Sequence, residues 1–110
     1  MRVVKLRTNG AIEIKHIKNE LRDLENEVGG YIEKIKLFDD LILLVDDEGA
    51  LKRRSINPFF TTIRGDIIVC RIKGEEYAGI PFFKARSFIR YLCMKDRRES
   101  GEFNGDGKSV

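Results

Sequence analysis

A chain of 110 residues, 42% of them hydrophobic, supplies the core of one domain and too little for two. No apolar run approaches the ~20 residues of a membrane span, and the opening "MRVVKLRTNG" lacks the apolar stretch of a signal peptide, so a soluble cytoplasmic protein is expected. The formal net charge of +3 conceals a division: residues 1–50 carry 8 Lys and Arg against 11 Asp and Glu, residues 51–98 carry 12 against 4, and residues 99–110 carry 1 against 3. Such asymmetry reflects either which faces the two halves occupy or a surface for phosphate or an acidic partner.

The first elements read clearly. "RVVKLR" is a strand, Thr8-Asn9-Gly10 holds the Asn-Gly pair that tolerates positive φ in tight hairpin turns, and "AIEIKHI" returns with Ile12, Ile14 and His16 on one side. In "IKNELRDLENEVGG", Ile17, Leu21, Leu24 and Val28 recur at spacings of four, three and four. This is the stripe of an amphipathic helix, with Asn19 as its expected N-cap, Gly29 or Gly30 as its stop and an acidic outer side of Glu20, Asp23, Glu25 and Glu27. "YIEKIKLF" alternates as a half-solvated strand, whereas "LILLV" is apolar throughout and belongs nearer the centre of a sheet. Asp39-Asp40 and Asp46-Asp47-Glu48-Gly49 turn the chain. These acids lack the spacing of a calcium loop, and the preference of Asp for turns accounts for them.

Asn57-Pro58 marks a loop, because proline holds its predecessor out of the helical region, and Phe59 and Phe60 are expected to lid one end of the core. "GDIIVCRI" and "EEYAGI" form a second hairpin through Lys73-Gly74, and Pro81 opens a last helix ending near Arg97. At 100° per residue, Phe82, Ala85, Ile89, Leu92 and Cys93 share one arc, bordered by Phe88, and are expected in the core. Arg86, Arg90 and Arg97 line one edge of the outward face, Lys84, Lys95 and Arg98 the other, with Phe83, Tyr91 and Met94 between them. That face could meet nucleic acid, since cations neutralise phosphate and aromatics stack on bases, or a protein, since Arg, Phe, Tyr and Met are interface types. Residues 99–110 are polar and glycine-rich and are expected to form a flexible tail.

Signatures of catalysis or of a cofactor are missing. His16 is the single histidine and sits in an apolar-alternating strand, and Cys70 and Cys93 lie inside apolar patterns and read as buried free thiols. One histidine with two distant cysteines has no zinc spacing, and neither "KGEEYAG" nor "VGGY" is a phosphate loop. No enzyme activity, metal or cofactor is therefore expected.

The succession "ELRDLENEVGGYIEKIKL", "LILLVDDEGALK", Asn57 and "GDIIVCRIKGEEYAGI" resembles an uncharacterised small-domain family of phages, plasmids and integrated mobile elements of bacteria, with a VGGYIE … DDEG … N … GD pattern over most of residues 1–92. The chain departs from that pattern after Asn57, where Pro58-Phe59-Phe60 replaces the arginines common in the family. The resemblance implies an α+β domain with a mobile-element accessory role and supplies no catalytic residues. The expectation from sequence is a single α+β domain over residues 1–98, a mostly antiparallel sheet of about five strands with two packed helices. Its expected role is a non-enzymatic binding module acting in the cytoplasm of a bacterial host, of which an anti-CRISPR-type counter-defence inhibitor is one form. Its partner would be a host protein or nucleoprotein complex, met through Arg86, Arg90, Arg97, Phe83, Tyr91 and Met94 together with Lys52, Arg53 and Arg54. Direct nucleic-acid binding and a homo-oligomeric structural role are the alternatives.

Overall fold

The computed structural model describes the backbone of residues 1–100 and the side chains of residues 1–95. The polar segment expected as a tail therefore lies, from residue 101 on, outside the described residues. In chain order the elements are β1 (Arg2–Leu6), β2 (Ile12–His16), α1 (Leu21–Val28), β3 (Ile32–Lys36), β4 (Leu41–Asp46), β5 (Ile67–Lys73), β6 (Glu76–Ala78) and α2 (Phe82–Ser100).

Among the described residues the six strands form one antiparallel sheet in the order β2-β1-β5-β4-β3, giving an α+β fold. The sixth strand, β6, is short and pairs with Arg71–Lys73 of β5. The opposite edge of β5 is taken by β4, so β6 continues the line of β1. The β1–β2 turn follows the Asn-Gly signal: Gly10 has φ +90, and the Gly10 N–H donates to the Arg7 carbonyl at 3.0 Å.

Side chains of a strand alternate between faces, and here each face receives one helix. Val3, Ile42, Leu44, Ile68 and Cys70 pack with Leu24 and Val28 of α1, whereas Val4, Leu6, Leu43, Val45, Ile67 and Val69 pack with Ala85, Phe88 and Leu92 of α2. β4 is therefore buried along its whole length, which is why "LILLV" shows no alternation. Phe59 and Phe60 close the α2 side of the core, as expected.

Three sequence expectations need correction. The residue before α1 is Glu20, which makes no side-chain cap; Asn19 instead donates from Nδ2 to the Tyr77 carbonyl at 2.8 Å, tying the helix entry to β6. Of the four stripe residues only Leu24 and Val28 are fully buried, and Leu21 is 61% exposed. Phe82 and Cys93 are exposed rather than in the core, and Phe88 is buried rather than at its border. The buried arc of α2 is thus rotated by roughly 60° from the one its sequence suggests, at about 100° per residue. The cause lies in another element: Phe38, on the β3–β4 turn, packs tilted against Phe88 and edge-on against Tyr91, with ring centroids 6.5 and 5.5 Å away.

Candidate functional site

The rotation of α2 decides what its outward face offers. Lys84 reaches Asp40 Oδ1 at 3.2 Å, and Lys95 donates to the Phe59 carbonyl at 3.2 Å while lying 4.4 Å from the centre of the Phe60 ring. The two described cations of this edge are therefore bound into the body of the protein, and Tyr91, 41% exposed, stands edge-on to Phe38. The opposite sector stays in solvent. Phe83 is 72% and Met94 54% exposed, Arg86 and Arg90 are exposed beside them, and no carboxylate among the described residues lies within salt-bridge distance of either arginine. Phe83, Arg86, Ser87, Ile89 and Arg90 line a shallow groove along this side. The side chains of Arg97 and Arg98 lie outside the described residues.

Lys52, Arg53 and Arg54 do not join this surface. They lie on the other face of the sheet, against the C-terminal end of α1. The Asp46 side chain, at the end of β4, is fully buried, and its Oδ2 accepts from Lys52 Nζ at 2.9 Å and Arg54 Nε at 2.8 Å. Its Oδ1 accepts from the Glu48 N–H at 2.9 Å. Burial by itself would push this carboxyl up; the Glu48 amide, Lys52 and Arg54 outweigh it and hold the group below the usual carboxylate range. Asp46 is thus the hub of an ion cluster as well as a turn residue, which corrects the reading of "DDEG" as turn chemistry alone.

The two cations also reach the end of α1. Arg54 Nη2 donates to the Gly29 carbonyl at 2.8 Å and Lys52 Nζ to the same oxygen at 3.2 Å, satisfying an acceptor that the helix end leaves without an intrahelical partner. Gly29, in the left-handed conformation at φ +86, stops the helix by donating its N–H to the Glu25 carbonyl at 2.8 Å. Gly30 is required for space: a Cβ there would stand 2.5 Å from Lys52 Nζ and 2.6 Å from Asp46 Oδ1. The glycine pair lets α1, β4 and the 50–54 turn converge on one carboxylate.

Arg53 is exposed in a left-handed conformation at φ 55, on a polar cleft that Lys5, Glu27, Arg54 and Asp66 also line. Lys5 is the floor of this cleft, with its side chain 8% exposed and its Nζ 3.1 Å from Glu27 Oε1. Lys15 binds the same carboxylate at 2.9 Å. Here too burial would raise the group, and Lys15 and Lys5 together hold Glu27 below its ordinary range. The acidic outer side expected for α1 is therefore partly an internal one.

Sequence reasoning missed the Asp46 cluster and the fully buried Asn57. The signals were present: an Asp closing an all-apolar strand, cations six and eight residues on, and a glycine pair after a helix. Asn57 donates from Nδ2 to the carbonyls of Leu6 and Gly65, each at 3.0 Å, and accepts from the Phe59 N–H at 2.9 Å. It fastens the 55–65 loop to β1 and to the entry of β5.

Among the described residues, no group of three or more His, Cys, Asp and Glu stands in position to hold a metal ion, and no helix is long and apolar enough to cross a membrane. No match was found among curated proteins or among solved structures. One family model matches, over residues 1–92, and those residues contain the glycine pair, the Asp46 cluster, Asn57 and the first half of α2. The chain belongs to the family described as Domain of unknown function (DUF3846).

Proposed function

We propose that this domain is a non-enzymatic binding module that holds an acidic protein surface against the outward sector of α2. One observation carries the reading: two guanidinium groups without carboxylate partners among the described residues share a helical sector with Phe83 and Met94, which are 72% and 54% exposed. Apolar groups in water represent unrealised burial free energy of about 25 cal/mol per Å². Arginine meets carboxylates through a planar fork, so the sector combines apolar anchors with directional charge recognition. Lys52 and Arg54 are already engaged by Asp46 and take no part. On the resemblance noted above, the gene is an accessory of a phage or mobile element, the partner is a host protein or nucleoprotein complex, and a counter-defence inhibitor of the anti-CRISPR type is one form of the function.

Direct nucleic-acid binding competes for the same residues, with phosphates meeting Arg86 and Arg90 and a base stacking on Phe83. Capture from nuclease-treated bacterial lysate separates the two. A specific protein is expected on the wild-type domain and is expected to be lost from both Arg86→Glu/Arg90→Glu and Phe83→Ala/Met94→Ala, which alter exposed side chains and leave the fold intact. Equal capture by all three proteins would refute the assignment to α2. Affinity for generic single or double strands that collapses between low and physiological salt would replace a protein partner with nucleic acid.

A further inference from the structure

Among the described residues three strands are paired on one side only, the short β6 and the two outer strands β2 and β3, and the last two differ in what a second copy of the chain would meet. The Arg7 N–H donates to the Ala11 carbonyl and the Ile17 N–H to the Met1 carbonyl, both at 2.9 Å. In an antiparallel ladder hydrogen-bonded pairs alternate with non-bonded ones, so the odd-numbered residues of β2 bond to β1. The main-chain N–H and C=O groups of Ile12, Ile14 and His16 therefore point outward along an open edge. On β3 the same argument, from Leu37 N–H to Leu41 C=O at 3.1 Å and Asp47 N–H to Tyr31 C=O at 2.9 Å, turns Ile32, Lys34 and Lys36 outward.

Two-fold pairing through β3 sets Lys34 against its own copy, Lys34 against Lys36 or, centred on Glu33, Glu33 against its own copy. That is like-charge protection of an edge, a common means of keeping sheets apart. β2 is different. Centred on Glu13 or on Lys15, its self-pairing would oppose identical charges, but centred on Ile14 it sets Glu13 of each copy against Lys15 of the other. These two cross-pairs fall at non-hydrogen-bonded positions, where Cα atoms approach to about 4.5 Å, while Ile14 with Ile14, and Ile12 with His16, supply about six main-chain hydrogen bonds.

The α2 face of the same edge is unfinished. Lys84 and Phe38 hold α2 toward the β3–β4 end, and Ile14 is left 37% exposed, with Ile89 half-buried on the same face. We propose that the free edge of β2 is a self-complementary seam through which two copies of this chain join their sheets antiparallel about Ile14. The two-fold axis stands perpendicular to the sheet, so both Ile14 side chains meet on the α2 side and prolong that core, and both α2 helices lie on one face of the doubled sheet. On the α1 side the ion pairs already present, Arg7 with Glu13 at 2.9 Å and Lys15 with Glu27 at 2.9 Å, join across the seam into a chain of alternating charge.

Charge exchange tests the seam. In analytical ultracentrifugation between about 1 and 100 µM, the wild-type chain is expected at twice its mass of 12.7 kDa at the upper concentrations. Glu13→Lys alone and Lys15→Glu alone each oppose like charges at both cross-pairs, and each is expected to weaken association at least about tenfold. Mixed in equal amounts, the two variants again oppose unlike charges and should recover the doubled mass. The mixture controls for any loss of fold in a single variant, since each change also removes one pair within the chain. In the wild type, amide exchange at Ile12, Ile14 and His16 is expected to slow as concentration rises. A wild-type chain that remains at 12.7 kDa at the highest concentration overturns the proposal. So does a doubled mass indifferent to both substitutions, or a mixture of two variants that each keep the wild-type circular dichroism and still fail to associate.

Discussion

Replacing Asn57 tests whether one side chain fastens the longest connection of the fold. Its residue surface is 0% exposed, and it makes three hydrogen bonds, two as donor to the Leu6 and Gly65 carbonyls and one as acceptor from the Phe59 N–H. In Asn57→Ala two buried carbonyls and one partly buried N–H lose that partner. At about 1–3 kcal/mol per stranded group, with carbonyls the more tolerant, the cost is about 3–5 kcal/mol. That is a large part of the ~5–15 kcal/mol that holds a domain folded. The chain has no Trp, so urea unfolding is best followed by far-ultraviolet circular dichroism. With a slope of about 1.5 kcal/mol per M, the midpoint should fall by about 2 M or more. Asn57→Asp sharpens the test, because a carboxylate has no hydrogen to donate and would face both carbonyls with lone pairs. Burial raises the folded pKa of the introduced carboxyl above its unfolded value of about 3.9. Its penalty is therefore complete above the folded value and is relieved as pH falls through it. Near neutral pH the expected order of stability is wild type, Asn57→Ala, Asn57→Asp. A cost below about 1 kcal/mol for the alanine variant, or an aspartate variant at least as stable as alanine near neutrality, would refute the fastening role.

The Asp46 cluster carries a pH signature. Its carboxyl titrates lower in the folded protein than in the unfolded chain, so its contribution is present above the unfolded value near pH 4 and is lost as pH falls through the folded one. Asp46→Asn should lower the urea midpoint near neutrality and flatten its fall in that acid window; parallel curves for the two proteins would contradict the ion cluster. The two thiols should separate kinetically. Cys93 is exposed and should react with a thiol reagent in the native protein, whereas Cys70 is buried, with its thiol pushed up to about 12, and should wait for unfolding. Two equally fast native thiols would contradict the packing of β5.

Much of the architecture was legible because it rests on local periodicity. Alternation and turn chemistry identified both flanking hairpins, the length and uniform apolarity of "LILLV" placed it inside, and Gly29 ended α1 where expected. What failed were features set by neighbours distant in sequence. The buried arc of α2 could not be located from its own pattern, because Phe82, Phe88 and Cys93 are all apolar enough to serve and Phe38, from another hairpin, selects Phe88. Likewise "DDEG" and "KRR" read as a turn and a basic run, and only their convergence with Gly29 and Gly30 makes them one cluster around a buried carboxylate.

The candidate surface divides in the same way. Sequence alone determined that α2 carries an excess of cations and aromatics, since composition and helical spacing are local properties. Tertiary structure decided which of them remain available: Lys84 and Lys95 are consumed by Asp40 and by the Phe59–Phe60 loop, Tyr91 leans on Phe38, and Arg86, Arg90, Phe83 and Met94 are left in water. The physical reason is that a charge or ring is neutralised or buried by whatever the fold brings within a few ångströms, and that neighbour is not written in the residue's own stretch of chain.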